Sequence, residues 1–266
     1  MEYLKFILYG LIQGLTEFIP VSSTAHLKVI SQFFGFEDPG PSLSAIIQLG
    51  SVLALICYFR QDIFKFRIKF LKNNFDHLKH QRLLWSILIG TIPIILLGGI
   101  IKLFVPYFFD NVLRSNLSIA LVSFLMAIFM FIADRSKKGF INLENHKISD
   151  TFLIALSQAF AILPGVSRSG VTISTALVSG WERGDAAKFS FLLGIPAISF
   201  AAIVELISSF NKFSLISLSP LIFGLITTFL SSLLAIDFLL KYFTLNGLKL
   251  FIIYRVLFAL IILMNL

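Results

Sequence analysis

Apolar runs dominate this chain, and the places where they are interrupted define its organisation. Residues 42–60, 83–105, 115–133, 185–207, 217–240 and 248–265 each form one apolar segment. Each comes close to the roughly 20 residues that cross a bilayer as a helix. Two further segments, 4–33 and 150–180, are apolar but broken near their middle, by FIPVSST at 18–24 and LPGVSRSG at 163–170. A proline removes a backbone donor, and clustered hydroxyls compete with the helix for backbone partners. Each broken segment is therefore predicted as a helix, a polar turn and a second helix. Irregular backbone at membrane depth is tolerated only inside protein or along a cavity. Both segments are thus expected to be re-entrant hairpins that enter and leave on one side. Turn residues fill the linker 33–41, and Pro93, Gly98, Gly99 and Pro196 loosen two of the spans.

The predicted fold is an all-α polytopic membrane protein, a single membrane domain over 1–266 made of two repeats, 1–133 and 134–266. Each repeat is one re-entrant helical hairpin followed by three transmembrane helices. LIQGLTEFIPVSSTAHL and LSQAFAILPGVSRSGVT align on Pro20 and Pro164, and GTIP at 90–93 echoes LGIP at 193–196. A hairpin does not change sides but three spans do, so the second repeat is expected to lie inverted. Inverted repeats place binding sites near the midplane, where broken helices meet.

Loop charge sets the expected orientation. Arg60, Lys65, Arg67, Lys69, Lys72, Lys79 and Arg82 cluster around loop 61–82, and Arg135, Lys137, Lys138 and Lys147 in loop 134–149. Both loops read as cytoplasmic by the positive-inside bias. Loops 106–114 and 208–216, with only Arg114 and Lys212, read as external. The first hairpin then enters from outside and the second from the cytoplasm, with both termini outside. Lys5 and the apolar run after it resemble a secretion signal, but Gln13 and Glu17 interrupt the run, so the segment is expected to be retained.

Composition agrees with a membrane class. The chain is 57% hydrophobic and 14% charged, with a mean hydropathy of +0.91, where a soluble domain carries about 25% charged residues. The net charge of +8 resides largely in the basic loops and comes with no nucleic-acid recognition motif, so membrane lipid is the expected partner and nucleic acid is not. The single cysteine, Cys57, permits no intrachain disulfide and is expected to pack. Trp85 and Trp181 fall near span ends, as interface anchors do. Arg255 lies inside the last span and is expected to pair with an acid such as Glu205 or Asp237.

The two breaks hold the candidate chemistry. A charged residue at a helix centre costs about 2.5–3.5 kcal/mol on insertion scales, so Arg168 should face a polar cavity or a partner. An arginine fork matches phosphate oxygens. Ser167 and Ser169 add hydroxyls, Gly165 and Gly170 allow close backbone approach, and the helix beginning near Gly170 offers N–H groups to an anion. The other reading of Arg168 is a structural ion pair with Glu17 that stitches the halves together. The first break supplies the carboxylate Glu17, the hydroxyls Ser22, Ser23 and Thr24, and the imidazole His26. Ser23 lies three residues before His26, on one helical face, so His26 could accept its proton. Gln13 and Glu17, at i and i+4, could together ligate a divalent cation.

QGLTEFIPVSSTAH at 13–26, PGVSRSG at 164–170, IQLGSVLA at 47–54, KFSFLLGIP at 188–196 and YR at 254–255 resemble, in order and over the whole chain, the undecaprenyl-diphosphatase family of bacitracin-resistance membrane phosphatases. Gln13 stands where many members have glutamate; the family pattern admits either residue, and the amide leaves Glu17 as the more important carboxyl. The resemblance implies a multi-pass enzyme of the bacterial cell membrane, acting on its outer side. It implies hydrolysis of undecaprenyl diphosphate to undecaprenyl phosphate and phosphate, with stimulation by Mg²⁺ or Ca²⁺. The lipid carrier is thereby recycled for peptidoglycan synthesis, with bacitracin resistance as a consequence. Glu17, Ser23, His26 and Arg168 are then the expected catalytic residues. Ser22, Thr24, Gly165, Ser167, Arg168 and Ser169 are the expected phosphate-binding set, and Glu17 with Gln13 the expected cation ligands. Ser23 as nucleophile and Ser23 as the holder of an attacking water both stay open, as does homo-oligomerisation. A lipid-carrier transporter or flippase on the same repeat is the rival reading. A second rival, the other membrane lipid-phosphatase superfamily, needs an RxxxxxHxxxD-like motif that the chain lacks.

Overall fold

The computed structural model describes residues 2–69, 76–136, 139–208 and 218–264. Lys72, Lys137, Lys138 and Lys212 lie outside the described residues, as do the side chains of 65–80. The described chain is helical, and a single isolated bridge between Ile141 and Trp181 is its one β pairing. Helices α1 (Glu2–Phe18), α2 (Ser23–Phe33), α3 (Gly40–Tyr58), α4 (Arg60–Lys69), α5 (Asp76–Phe104), α6 (Pro106–Phe108) and α7 (Asn116–Asp134) make the first half. A 3₁₀ turn then leads into α8 (Phe152–Ala159), α9 (Arg168–Val178), α10 (Arg183–Ser208), α11 (Leu218–Asn246) and α12 (Lys249–Met264).

Both broken segments are helix, turn and helix, as their proline and hydroxyl content requires. Pro93 and Pro196, by contrast, sit inside continuous helices. Residues 106–114, expected as a turn, coil into α6 and one wide turn over Phe109–Leu113. The expected loop 61–82 is helical in its described parts, and α11 runs six residues past its expected end at 240, stopping where Gly247 turns with φ +68°. Five helices, α3, α5 (over Gln81–Phe104), α7, α10 and α11, are long and apolar enough to cross a membrane. The sequence pattern led to six; the last, α12, has 16 described residues and is shorter.

Small residues set the packing. Lipid offers no hydrophobic drive for helix association, so close van der Waals contact must supply it. α1 and α3 both lie against α11, and three glycines open the space. A Cβ on Gly14 would fall 2.5 Å from the Thr228 carbonyl oxygen and 2.8 Å from the Ser232 nitrogen; one on Gly50 would fall 2.6 Å from the Leu225 carbonyl oxygen. Gly10 meets the Thr227 side chain and the Gly224 carbonyl in the same way. Elsewhere α8 packs on α5, α12 on α7, α10 on α3, and α9 among α7, α8 and α10. Phe18 and Val21 from the first break join Val166 and Val171 from the second in the main core cluster, so the two breaks meet inside the protein.

Two side chains sit elsewhere than the sequence suggested. Trp181 is 1% exposed, packed against Phe189 and His146, and is no interface anchor; Trp85, at 54%, is open. His146, in the basic loop 134–149 where exposure is expected, is fully buried. It lies 3.3 Å from Ser86 Oγ and 3.1 Å from the Leu143 carbonyl, and its burial pulls the imidazole pKa below its ordinary value.

Gly50→Val should lower the thermal midpoint in detergent, because overpacking against fixed backbone costs about 1–3 kcal/mol. Gly99→Ala, where an added Cβ meets nothing within 4 Å, should leave the midpoint unchanged or raise it. Equal melting of the two variants would show that the glycine contacts do not set the packing.

Candidate active site

The two breaks are built alike. α2 and α9 each begin just after a serine with positive φ, Ser22 at 78° and Ser167 at 69°, the two non-glycine residues in that region among those described. Such backbone costs about 1–3 kcal/mol per residue and persists only where its surroundings enforce it. The equivalence pairs Ser23 with Arg168 and Pro20 with Gly165, one residue away from an alignment on the prolines. Gln13 and Gln158 then fall nine residues before their respective serines.

The breaks are bonded to each other. The Gly165 N–H donates to Ser22 Oγ at 3.2 Å, and the Ser169 hydroxyl lies 3.4 Å from the carbonyls of both Glu17 and Ile19. Arg255, fully buried on α12, holds both breaks and α7 together. It donates to the carbonyls of Pro20 at 3.2 Å, Ser123 at 3.3 Å and Gly165. The acids expected to pair with it are engaged elsewhere, because the carbonyls freed by the breaks lie closer to the guanidinium. Glu205 binds Lys102 and Ser42, and Asp237 binds Lys241 and Tyr58.

Glu17 is the centre of the polar cluster. Its Oε2 accepts from Ser23 Oγ at 2.7 Å, Gln13 Nε2 at 2.8 Å and Gln48 Nε2 at 3.2 Å. Its Oε1 faces Arg168 Nε at 3.7 Å, within ion-pair range but beyond a hydrogen bond. An uncompensated buried charge would cost several kcal/mol, roughly; four neighbours from α1, α2, α3 and α9 compensate this one. Gln48 is a member that sequence reasoning missed: an amide beside Gly50 and Ser51 in a span reads first as a packing residue.

Arg168 is held from behind. Its Nη1 donates to the Ser190 carbonyl at 2.8 Å, and the Thr172 hydroxyl bridges the Arg168 carbonyl at 2.7 Å and Ser190 Oγ at 2.6 Å. The guanidinium lies on Gly194, where a Cβ would come 2.5 Å from Cζ and 2.9 Å from Nη2. Its Nε and Nη2 make no hydrogen bond within the protein, although the residue is only 9% exposed. That edge presents two parallel N–H groups beside Glu17 and Ser23, the arrangement that matches two oxygens of one phosphoryl group.

His26 is placed differently from its expected role. Its Nδ1 lies 2.7 Å from the Ser22 carbonyl, which can only accept, so Nδ1 carries the hydrogen. In the neutral ring Nε2 then accepts from the Tyr254 hydroxyl, at 2.7 Å. The ring stacks on Phe258, with centroids 4.1 Å apart and planes at 5°. The Ser23–His26 hydrogen bond expected from their spacing is replaced by Ser23 to Glu17. Thr24, half-buried, lies 3.3 Å from Ser22 Oγ; Ser167 caps its own helix by accepting the Gly170 N–H at 3.2 Å. Tyr254 was not among the expected site residues, although the YR pair at 254–255 that carries the family resemblance pointed to it.

The oxygens that could hold a divalent cation are those of the Glu17 carboxylate and Gln13 Oε1. Gln13 Oε1 is buried and accepts no hydrogen bond, next to the Glu17 carboxylate. Among the described residues no group of three or more His, Cys, Asp or Glu side chains gathers. One carboxylate and one amide oxygen suit a hard cation that takes its remaining oxygens from a phosphorylated substrate and water.

Helices of membrane-spanning length around a buried carboxylate, serine and arginine define an integral membrane protein with a buried polar cluster at the meeting of its two breaks. The chain belongs to the family of bacitracin resistance protein BacA, whose model matches residues 6–261. It is similar to proteins named undecaprenyl-diphosphatase from Prochlorococcus marinus. It is 79% identical to that of strain MIT 9312 and 74% identical to that of strain AS9601, covering all of this chain and 99% and 97% of theirs. It is 46% identical to that of strain MIT 9303, over 96% of this chain and 88% of that one.

Gly194→Val should push the guanidinium off its seat. Phosphate release from a lipid diphosphate should fall by about 10²-fold, the usual cost of a 1 Å misplacement at a reacting centre, with the protein still folded in detergent. Wild-type turnover in this variant would show that the seat on Gly194 does not matter.

Proposed function

We propose that this protein is an undecaprenyl-diphosphatase. It hydrolyses the terminal phosphoanhydride of undecaprenyl diphosphate, releases phosphate and returns undecaprenyl phosphate for peptidoglycan synthesis. Family membership supports the reaction. The observation that carries the site is Ser23 Oγ at 2.7 Å from Glu17 Oε2, the carboxylate whose Oε1 faces the Arg168 edge, Nε and Nη2, that holds no hydrogen bond within the protein.

In this reading Arg168 receives two oxygens of the terminal phosphoryl group. Ser23 attacks the terminal phosphorus: an Oγ–P bond forms, the anhydride P–O bond breaks, and undecaprenyl phosphate departs. The Ser23 proton passes to Glu17. Water then cleaves the phosphoserine, releasing phosphate. Mg²⁺ or Ca²⁺ at Glu17 and Gln13, with substrate oxygens, would offset the diphosphate charge. Phosphoryl transfer draws most of its acceleration from such placement of positive charge and donors. Ser22, Ser167, Ser169, Thr24 and Gly165 shape the cradle: their bonds, within and between the breaks, hold the two together.

We further propose that 1–133 and 134–266 are inverted repeats, the first hairpin entering from outside and the second from the cytoplasm. The matched positive-φ serines support this. So do the two fully buried glutamines nine residues before them, each with an Oε1 that accepts no hydrogen bond. The packing pairs correspond as well, α1 on α11 and α8 on α5. The basic loops support an orientation in the bacterial cell membrane with loops 61–82 and 134–149 on the cytoplasmic side.

Phosphate release from undecaprenyl diphosphate in detergent, where no vectorial transport exists, tests the activity and rejects a pure transporter. Ser23→Ala and Arg168→Ala should each lose about 10²-fold or more in kcat, and a chelator should suppress the wild type. Acid-quenched wild type should carry phosphate on Ser23. Full turnover by Ser23→Ala would remove the covalent step, and full turnover by Arg168→Ala would remove the cradle.

A further inference from the structure

We infer that His26 and Tyr254 form a positioning chain that holds the Ser22 turn, and through it Ser23, rather than a proton path to the substrate. The inference rests on the phosphatase reading above.

The argument begins with an asymmetry between the two breaks. Ser22 and Ser167 occupy the same strained position, yet they are stabilised differently. Ser167 caps its own helix, accepting the Gly170 N–H at 3.2 Å. Ser22 makes no such cap, because its Oγ accepts the Gly165 N–H of the other break. The first turn has therefore given up its local cap to the contact that joins the breaks. His26 takes over that task. It grips the Ser22 carbonyl twice, through its backbone N–H at 3.2 Å and its ring Nδ1 at 2.7 Å. The equivalent residue after Ser167 is Val171, which has the backbone bond alone, at 2.9 Å.

The ring has little freedom to do anything else. Phe258 lies flat on one face, and Tyr254 closes Nε2 at 2.7 Å. A partner on the second ring nitrogen fixes which nitrogen bears the hydrogen and how the ring is turned. Tyr254 precedes Arg255, which donates to the Pro20 carbonyl two residues before Ser22. Consecutive residues of α12 thus brace the turn from both sides. Ser23, the first residue of α2, is left pointing at Glu17. No bond from His26 reaches Ser23 or Glu17.

The test is substitution that keeps or removes the donor. An asparagine places its Nδ2 where the histidine has Nδ1 and does not titrate. In turnover of undecaprenyl diphosphate in detergent, His26→Asn should stay within about tenfold of wild-type kcat and keep the wild-type pH profile. His26→Ala should lose about 10²-fold in kcat, as misplacement of the reacting group predicts, with KM little changed. Tyr254→Phe should lose about tenfold in kcat, the lower range for removing a group that orients another. If His26→Asn is as inactive as His26→Ala while both melt like the wild type, or its pH profile loses a limb, the ring is a proton carrier and the inference fails. Should His26→Asn not fold, Tyr254→Phe decides: a tenfold loss in kcat at unchanged KM supports the chain, and full activity overturns it. Wild type that releases no phosphate would instead overturn the phosphatase reading beneath it.

Discussion

Everything at the centre of this protein depends on satisfying backbone that has left its helices inside the protein. A broken helix exposes carbonyl groups where no water can be counted on, and each unpaired group is costly. Arg255 meets that demand with one side chain, reaching the carbonyls of Pro20, Gly165 and Ser123. A guanidinium suits the task because its five donors spread in a plane and it accepts nothing. The cationic group therefore acts here as a multiple donor to neutral oxygens, and the two breaks can approach closely enough to share a site.

Once the breaks are joined, the polar cluster follows from their chemistry. The first contributes a carboxylate and a hydroxyl, the second an arginine, and neither is a site alone. Glu17 draws donors from its own helix, from α2 and from α3. Arg168 is backed by the Ser190–Gly194 turn of α10, which occupies Nη1 and leaves Nε and Nη2 open. That same edge faces the carboxylate, with Nε 3.7 Å from Glu17 Oε1, so the ion pair links the two breaks while Nε and Nη2 hold no hydrogen bond within the protein.

The apolar runs and the two broken segments were legible because they are periodicity and punctuation, which act locally. The likeness of the two breaks was legible as well, through their Pro and Ser content, but the matched serines Ser22 and Ser167 stand one residue away from the alignment on the prolines. Details that depend on three-dimensional approach were not. His26 and Ser23 share a spacing that suggests a hydrogen bond, but the strained Ser22 turn carries the imidazole to the Ser22 carbonyl. Gln48 reads as a packing amide until α3 is laid beside α1. Arg255 reads as half of an ion pair, because spacing reveals acids more readily than free carbonyls. Trp181 sits at a span end, yet the chain folds back through the Ile141 bridge and covers it.

By itself the sequence determined that this is an apolar, all-helical chain of membrane-spanning segments, with two polar interruptions that hold its candidate catalytic residue types. Hydropathy, proline and glycine act over a few residues and need no tertiary partner to be read. The tertiary structure decided which groups touch: Ser23 with Glu17, His26 with the Ser22 carbonyl and Tyr254, Arg168 with Ser190 and Gly194. Those choices depend on how closely helices from distant parts of the chain approach and on which backbone groups the breaks leave open. Neither is encoded in any short window of residues.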